Sequence, residues 1–554
     1  MNVSDGGTQT EPFNGRLALL LSMAMFVLVV DTSIMNVSIS AVVQDIGTTV
    51  SGLQSTIALE ALVSAAFILI GGKIGDLIGR KRAYVLGLAC YALGAVAMTL
   101  AQTLLPILIF WALIGGLGAS LLLPSMQSLI HGNFEGAAQK RVYASVGASA
   151  AIAAAVGPLI GGFITTFLSW RIAFLLEALT IAVVLSGIKL VHDVPFQGPR
   201  TLDVVGALLS LIGMGGIVLG ILVWQEGGEA VGALLAVGAV GLGGLAYWLI
   251  RRKRRSKPTL LDPDLFHSEG FRFGATGQML QQIALGGTMI VLPIYLQMVL
   301  GYNAMHTGLT IAPLSLTMFA IAMLAGKKAG TRRPASLIRW GFLLLTAGLV
   351  MIVPIVPRAD TGVWLLVPLI IAGSGLGLLV SQLNNYTLSP ISDERVSEAA
   401  SVNSAAGSFG LSFGLAFAGG IMLAALSIIF TSMAASSTVL PPDDQQQVAQ
   451  VLEDDAQLLS NTQLEELLIN QPEDIQDEIV RINTQARPIA LQTALLIPIL
   501  ARLVGLANSF RMMQLPDPGP GEEASQEQFD TFEDESAPGA QNDDENLQEE
   551  QSAT

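Results

Sequence analysis

Three acidic residues, Asp31, Glu60 and Glu177, lie within long apolar stretches of the sequence. An aspartate at the centre of a bilayer costs about 3 kcal/mol on insertion scales, so each of these side chains needs a water-filled cavity or a polar partner. Burial favours the neutral acid over the carboxylate, which suits reversible protonation. Each residue is therefore a candidate proton or cation site, and the alternative is a fixed hydrogen bond between helices.

Other polar residues accompany these acids. Thr56, Glu60 and Ser64 follow one another at intervals of four residues, which places them on one face of a helix. Asn36 lies in the same apolar stretch as Asp31. A second polar stripe, in a later apolar stretch, consists of Gln278, Gln281 and Gln282. These glutamines either contact a substrate or bond to a neighbouring helix, and the sequence favours neither role.

The composition indicates an all-α polytopic membrane protein. Of 554 residues, 52% are hydrophobic and 13% are charged, whereas soluble domains carry about 25% charged residues. A transmembrane helix needs about 20 apolar residues, and fourteen stretches qualify. They lie near 17–42, 53–74, 83–103, 105–130, 142–166, 170–190, 204–224, 230–250, 274–299, 305–326, 336–357, 362–386, 401–430 and 488–510. The single cysteine, Cys90, excludes a disulfide framework.

The distribution of charge predicts the orientation. With the N-terminus inside, the interior loops hold Arg80–Arg82 and Arg251–Arg255, and the exterior segments hold few basic residues. The positive-inside rule therefore places both termini in the cytoplasm. The net charge of −15 is concentrated in residues 431–487 and in the stretch after 512, so the membrane body is basic and nucleic-acid binding is not indicated. Arg502, in the last apolar stretch, either neutralises an acid or reaches towards lipid headgroups, and the second interpretation is favoured.

A glycine-rich charged turn separates the second and third apolar stretches. Its glycines are Gly72, Gly75 and Gly79, and its charged residues include Asp76, Arg80 and Arg82. Glycine has no Cβ, so the flanking helices can approach closely and turn sharply. The turn brings a carboxylate next to guanidinium groups at the membrane edge. A plain basic loop is the alternative interpretation.

The fifth apolar stretch contains a second group of helix-bending residues. They are Gly157, Pro158, Gly161 and Gly162. Proline removes a backbone donor and kinks a helix, while glycines permit close contact and flexing. An ordinary kinked transmembrane helix is the alternative interpretation, but the spacing of these four residues is more specific than such a kink requires.

The motifs together resemble those of the major facilitator superfamily. The stretch 71–82 resembles the loop between the second and third helices of that superfamily, and Gly157–Gly162 resembles the antiporter motif of its drug-export branches. Residues 31–37 are similar to the first-helix motif of the fourteen-span drug:proton antiporter family. The resemblance covers roughly 15–430 and 488–510.

The resemblance implies two six-helix bundles plus two extra helices, which rock between inward-open and outward-open states. It also implies that proton influx drives export of small amphipathic or hydrophobic compounds. Asp76 and Arg80, with Arg82, would form a cytoplasmic latch that stabilises the outward-open state.

One departure from the family lies in the fourth helix. Where the family commonly has an arginine and a glutamine, this sequence has Ala112 and Gly115. The arginine is linked to proton coupling in the family, so the coupling route here differs. We hypothesise that Glu60, an intramembrane acid without an evident cation, takes part beside Asp31.

The expected organisation has six parts. Residues 1–16 are a cytoplasmic N-terminus, 17–195 the N-terminal bundle, 196–260 the two inserted helices with a basic linker, 261–430 with 488–514 the C-terminal bundle, 431–487 an extracytoplasmic helical insertion, and 515–554 a disordered acidic tail. Within the insertion, Thr462 to Glu465 has the spacing of a capping box. Pro488 is expected to end the insertion.

The sequence thus predicts a proton-driven exporter in a bacterial-type cytoplasmic membrane, acting as a monomer on protons and a small-molecule substrate. The alternatives are a proton-coupled carrier of a specific metabolite, lipid or siderophore, and a transporter-derived scaffold or sensor that binds a protein through residues 431–487 or the acidic tail. No Walker loop, catalytic set or metal cluster appears in the sequence, so an enzyme, a cofactor and a metal are not expected.

Overall fold

The computed structural model describes residues 14–134, 136–193, 203–225, 228–327, 333–391, 393–440 and 472–516. Within these ranges all regular secondary structure is helical, and thirteen of the helices found there are long and apolar enough to cross a membrane. The sixth predicted span corresponds to a shorter helix of 17 residues, Trp170–Ser186. Apolar stretches predict these helices well because a helix satisfies its backbone hydrogen bonds internally, as a bilayer requires.

The N-terminal half is built from α1 to α8. They are Gly15–Val37, Ile39–Ile46, Val50–Ile78, Arg80–Leu100, Leu104–Pro106, Gly116–Asn133, Gly136–Phe167 and Trp170–Ser186. Between α5 and α6 the chain forms a π-helical segment, Ile107–Gly115. Gly79 ends α3 with a φ of 100°, a conformation that side-chain-bearing residues rarely adopt. The glycine-rich turn is therefore a tight junction between α3 and α4.

Two helices, α9 (Val204–Gln225) and α10 (Val231–Lys253), follow the N-terminal half and pack against each other. Asp203 joins the start of α9 to the end of α10. Its Oδ1 accepts hydrogen bonds from the backbone N–H of Gly206 at 3.1 Å and from the indole of Trp248 at 3.0 Å. Helix α9 also packs against α3 of the N-terminal half and against the later helix Asp393–Ala435, so this pair lies against both halves.

The C-terminal half consists of α11 to α16. They are Glu269–Ile294, Ala304–Lys327, Pro334–Ile355, Leu366–Leu388, Asp393–Ala435 and Glu473–Met512. A π-helical segment, Tyr295–Val299, extends α11. The halves meet mainly where α3 packs against α15 and where α7 packs against α12. At the first contact, the hydroxyl of Ser412 donates to the carbonyl of Ala58 at 2.8 Å.

The last helix is longer than the sequence predicted. Helix α16 begins at Glu473, and Pro488 lies inside it, so the last predicted span, 488–510, continues a helix that begins before it. The early part of α16 buries Ile479 and Ile482 against Phe430 of α15. This packing continues the helix past a proline that removes one backbone donor. The predicted capping box, the N-terminal residues 1–13 and the tail beyond 516 lie outside the described residues.

The two ends of the helix bundle differ. We call the end that carries Arg80 and Lys253 the basic end. At the opposite end, hydrogen bonds join the halves through Gln297. Its Nε2 donates to the carbonyl of Val37 at 3.2 Å, and its Oε1 accepts from the backbone N–H of Ser40 at 2.9 Å. The halves are thus fastened at the opposite end by backbone groups of α1 and α2.

Candidate functional site

Asp31 lies in the interior of the N-terminal half and is completely buried. The phenol of Tyr91, on α4, donates a 2.6 Å hydrogen bond to Asp31 Oδ2. The indole of Trp111, in the π-helical segment, donates to the same oxygen at 3.1 Å. Both donors are neutral, so they orient the carboxyl group without supplying a positive charge. Asp31 is therefore a positioned acid in an apolar interior.

The other two predicted acids gather around Asp31. Glu177, on α8, is 4% exposed, and its carboxyl group interacts directly with that of Asp31. Its Oε2 has no hydrogen-bond partner among the described residues. Glu60, on α3, is half-buried and interacts electrostatically with Asp31. In the part of the chain that the structure describes, no ion pair joins any of these three acids to a cation.

A buried cation lies in the C-terminal half. Arg502, on α16, is 2% exposed, so the interpretation that it reaches towards lipid headgroups was wrong. Its Nη2 donates to the hydroxyl of Thr288 at 3.1 Å and to the carbonyl of Ala284 at 3.3 Å. Helix α16 turns this residue towards α11 rather than towards lipid, since both acceptors belong to α11. Its Nε and Nη1 atoms have no partner among the described residues.

Asn36 borders a small cavity between the halves, together with Arg502 and Thr288. Its Nδ2 donates to the carbonyl of Thr32 at 2.8 Å, while its Oδ1 is buried without a partner in the described part of the chain. The cavity measures about 50 Å³. The cavity therefore has Asn36, a predicted site residue, and Arg502, which the sequence had placed towards lipid headgroups, in the same wall.

The glutamine stripe of α11 faces α15. Gln278 and Gln282 lie beside Gly407, whose missing side chain leaves room for them. Gln281 is 3% exposed, and its Oε1 has no hydrogen-bond partner among the described residues. The stripe is thus not held by helix-to-helix hydrogen bonds at this atom, and it lies apart from the Asp31 cluster, in the other half.

At the basic end, Asp76 and Arg80 form an ion pair with 3.1 Å between Oδ1 and Nη2. They are about one turn apart, on either side of the break at Gly79. Arg82 is exposed, and no described ion pair includes it. The structure therefore brings two of the three predicted latch charges together and leaves the third at the surface.

A cavity of about 190 Å³ adjoins this ion pair. Its walls come from both halves: Gly72, Gly75, Asp76 and Arg80 on one side, and Glu398 with Ser401 of α15 on the other. Beside it, Asp262 accepts a hydrogen bond from Lys253 at 2.7 Å and pairs with Arg395 of α15 at 3.0 Å. The charges of the latch thus lie at the boundary between the halves.

The glycines of the antiporter motif fit α7 between two helices. A Cβ on Gly161 would lie 2.9 Å from the Cα of Ile34 on α1, and a Cβ on Gly162 would lie 2.5 Å from the carbonyl oxygen of Ala304 on α12. Both distances are shorter than real side-chain contacts allow. Adjacent glycines therefore permit α7 to contact its own half and the other half at once. Pro158 lies in the same part of α7, and Gly157 contacts α1.

Sequence reasoning missed the partners of Asp31. Ala112, at the position of the absent arginine, is fully buried, and the neighbouring Trp111 supplies a donor to the aspartate. Tyr91 and Trp111 are separated from Asp31 by long stretches of chain, and aromatic residues in apolar runs carry no distinctive spacing. Gln297 lies at the end of the ninth apolar stretch, and its contacts with α1 and α2 depend on how the two halves pack.

Proteins with related sequences are named for transport or for drug resistance. Over 399 residues the chain is 26% identical to the probable actinorhodin transporter of Streptomyces coelicolor, covering 70% of this chain and 69% of that one. It is 27% identical to the multidrug resistance protein Stp of Mycobacterium tuberculosis, with 73% and 75% covered. It is 25% identical to the quinolone resistance protein NorB of Staphylococcus aureus, with 74% and 89% covered.

Solved structures share the fold. A bacterial homologue of the human lysosomal transporter Spinster, in an inward-facing and occupied conformation, superposes with a TM-score of 0.57 at 14% identity, and the alignment covers 91% of this chain and 98% of that one. The family model described as Major Facilitator Superfamily matches residues 21–415. The match spans well over half of the sequence, and the chain therefore belongs to the major facilitator superfamily of membrane transporters.

Proposed function

We propose that this protein is a proton-driven antiporter that exports small amphipathic or hydrophobic compounds by alternating access. The observation that carries the proposal is the cluster of Asp31, Glu177 and Glu60 in the interior of the N-terminal half. Relatives named for actinorhodin transport, multidrug resistance and quinolone resistance support export as the direction and small organic compounds as the cargo.

The carboxyl cluster provides a physical basis for proton binding. Like charges this close repel strongly in a medium of low dielectric constant, and no cation of the described residues neutralises them. Sharing a proton between Asp31 and Glu177 removes most of that repulsion. Proton arrival and departure at this pair would therefore change the charge of the interior during each cycle, with Tyr91 and Trp111 keeping Asp31 in place.

Two separate gates would convert this charge change into alternating access. Gln297 fastens the halves at one end, and the Asp76–Arg80 pair lies at the boundary between the halves at the other. A state open at the basic end keeps the Gln297 contacts, and a state open at the opposite end breaks them. We place the basic end in the cytoplasm of a bacterial-type cell, from the positive-inside rule.

We propose the same organisation that the sequence predicted: two six-helix bundles in a monomer, two attached helices, an extracytoplasmic insertion at 431–487 and a cytoplasmic tail. The α15 contact of Ile479 and Ile482 would hold the extracytoplasmic segment close to the membrane. A protein partner for this segment or for the tail is part of the proposal, since the carboxyl cluster and the two gates contain no residue of either.

The test is accumulation of a fluorescent amphipathic cation, ethidium, in proteoliposomes that contain the purified protein. An imposed pH gradient should drive ethidium uptake against its gradient, and a protonophore should abolish that uptake. Protein-free liposomes are the control. Ethidium accumulation that does not change with the pH gradient or with the protonophore would contradict proton coupling. If none of a panel of amphipathic dyes is transported, the scaffold alternative is favoured.

A further inference from the structure

The guanidinium group of Arg502 is buried, and no ion pair joins it to an acidic residue in the described part of the chain. Its Nη2 uses both hydrogens on Thr288 and Ala284, whereas Nε and Nη1 have no partner among the described residues. A guanidinium group has five N–H donors, so three of them, one on Nε and two on Nη1, find no acceptor within the described ranges. Leaving charged donors unsatisfied in an apolar interior is strongly unfavourable.

The side chain of Arg502 borders the cavity between the halves. This cavity is formed by α1 and α7 of the N-terminal half and by helices of the C-terminal half, and its polar lining consists of Ser33, Asn36, Thr288 and Arg502. The rest of the wall is aliphatic, with Leu285, Met289, Leu292 and Ile311 among its members. The guanidinium group of Arg502 and the buried acceptor Asn36 Oδ1 thus belong to residues that line a mostly aliphatic pocket.

We propose that Arg502 binds the acidic group of transported compounds, so that the cargo includes amphipathic molecules with a carboxylate. The cavity volume of about 50 Å³ exceeds the roughly 10–15 Å³ that a cavity needs to hold one water. It suits a carboxylate group and is too small for a whole amphipathic molecule. The acid would therefore anchor at Arg502 while the apolar body lies along the aliphatic wall when the halves separate.

The chemistry favours a carboxylate over a neutral polar group. Hydrogen bonds between an ionised donor and an ionised acceptor are shorter and about twice as strong as neutral ones. An incoming carboxylate would also accept hydrogen bonds from donors that are already desolvated. The free energy needed to remove the guanidinium group from water is therefore spent in folding and does not weaken binding. Arg502 belongs to the C-terminal half and forms no ion pair with Asp31, Glu60 or Glu177 among the described residues, so it can bind an acid without competing for the transported proton.

The inference rests on the proposed transport function, and binding without a gradient tests it separately. The probes are 1-pyrenebutyrate and 1-pyrenebutanol, which share one apolar body and differ in the carboxylate. The protein is held in phosphatidylcholine nanodiscs, which contain no acidic lipid, and empty nanodiscs are subtracted. The unaltered protein should bind pyrenebutyrate about tenfold more tightly than pyrenebutanol, which corresponds to about 1.4 kcal/mol.

Substitutions assign that preference to one residue. Arg502→Gln should remove the preference and leave pyrenebutanol binding unchanged, and Arg502→Lys should retain part of it because the charge remains. The matched control is Arg511→Gln, on the same helix at an exposed position, which should behave like the unaltered protein. Equal binding of the two probes by the unaltered protein, or an undiminished preference in Arg502→Gln, would overturn the proposal.

A second measurement uses the unaltered protein and does not depend on the folding of a variant. Phenylglyoxal modifies arginines, and peptide mass spectrometry can follow Arg502 and Arg511 individually. Pyrenebutyrate should slow modification of Arg502 and not of Arg511, while pyrenebutanol should protect neither. If pyrenebutyrate does not protect Arg502, the inference is overturned, and a normal ΔpH-driven accumulation of ethidium would show that the transport proposal still stands. If the protection is observed but ethidium does not accumulate, only the transport proposal is contradicted.

Discussion

The phenol of Tyr91 donates a 2.6 Å hydrogen bond to Asp31 in the buried interior of the N-terminal half. Tyr91→Phe removes this donor and leaves the ring in place. Loss of a buried hydrogen bond to an acceptor of this kind costs about 1–3 kcal/mol, so the apparent unfolding temperature of the purified protein should fall. The control is Tyr247→Phe, on α10, because Tyr247 is 64% exposed. Equal unfolding temperatures for the two variants would contradict a structural role for the Tyr91 phenol.

The hydrogen bonds of Gln297 should influence the relative populations of the two open states. Gln297→Ala removes two hydrogen bonds to α1 and α2, and at about 1 kcal/mol each this should raise the population open at the opposite end by roughly tenfold or more. The readout is the rate at which a water-soluble maleimide labels Ser40→Cys in a Cys90→Ser background. Labelling should accelerate.

The matched control for that measurement is Gln492→Ala. Gln492 Nε2 donates to the carbonyl of Val353 at 2.7 Å, a bond within the C-terminal half that does not join the halves. Its loss should leave the labelling rate unchanged. If Gln492→Ala accelerates labelling as much as Gln297→Ala does, the effect is general loosening and the gate assignment fails.

The two arginines of the basic end should differ. Arg80 is paired with Asp76 and borders the boundary between the halves, whereas Arg82 is exposed. Arg80→Gln should reduce ethidium transport about tenfold or more, because a paired charge that stabilises one state of the cycle is lost. Arg82→Gln should retain nearly full transport. Comparable losses in both variants would favour a plain basic loop over a latch.

The ionisation of Asp262 should make the stability of the folded protein depend on pH. Partial burial alone would raise the pKa of this carboxyl, but the hydrogen bond from Lys253, the backbone N–H of Asp264 and the charge of Arg395 together hold its pKa below the ordinary value. A lowered pKa in the folded state adds stability above the unfolded pKa of about 3.9. That stability is lost as the pH falls through the folded-state pKa.

Asp262→Asn should therefore lower the apparent unfolding temperature at pH 7. The decrease should correspond to about 1 kcal/mol or less, since the group is partly exposed to solvent. The difference from the unaltered protein should shrink as the pH falls below about 4. Asp360→Asn, at an exposed position, is the control and should show no such trend. A difference that stays constant down to pH 3 would exclude ionisation as its cause.

The sequence predicted the helices and the acids of the candidate site, because apolar length and intramembrane charge are local properties. It could not predict Tyr91 and Trp111 as partners of Asp31, since those contacts depend on how α4 and the π-helical segment pack against α1. Arg502 was misassigned because its depth depends on the rotation of α16 about its axis. The continuation of α16 through Pro488 depends on packing against α15, which no local signal records.

Asp31 bears the central claim, and Asp31→Asn tests it most directly. The substitution keeps the size of the side chain and an acceptor for Tyr91 and Trp111, but it cannot bind and release a proton. In proteoliposomes, ΔpH-driven accumulation of ethidium should be abolished, while exchange of labelled for unlabelled ethidium without a gradient should persist. Asp360→Asn should retain both activities. Accumulation by Asp31→Asn at the rate of the unaltered protein, with the same response to the pH gradient, would contradict the account.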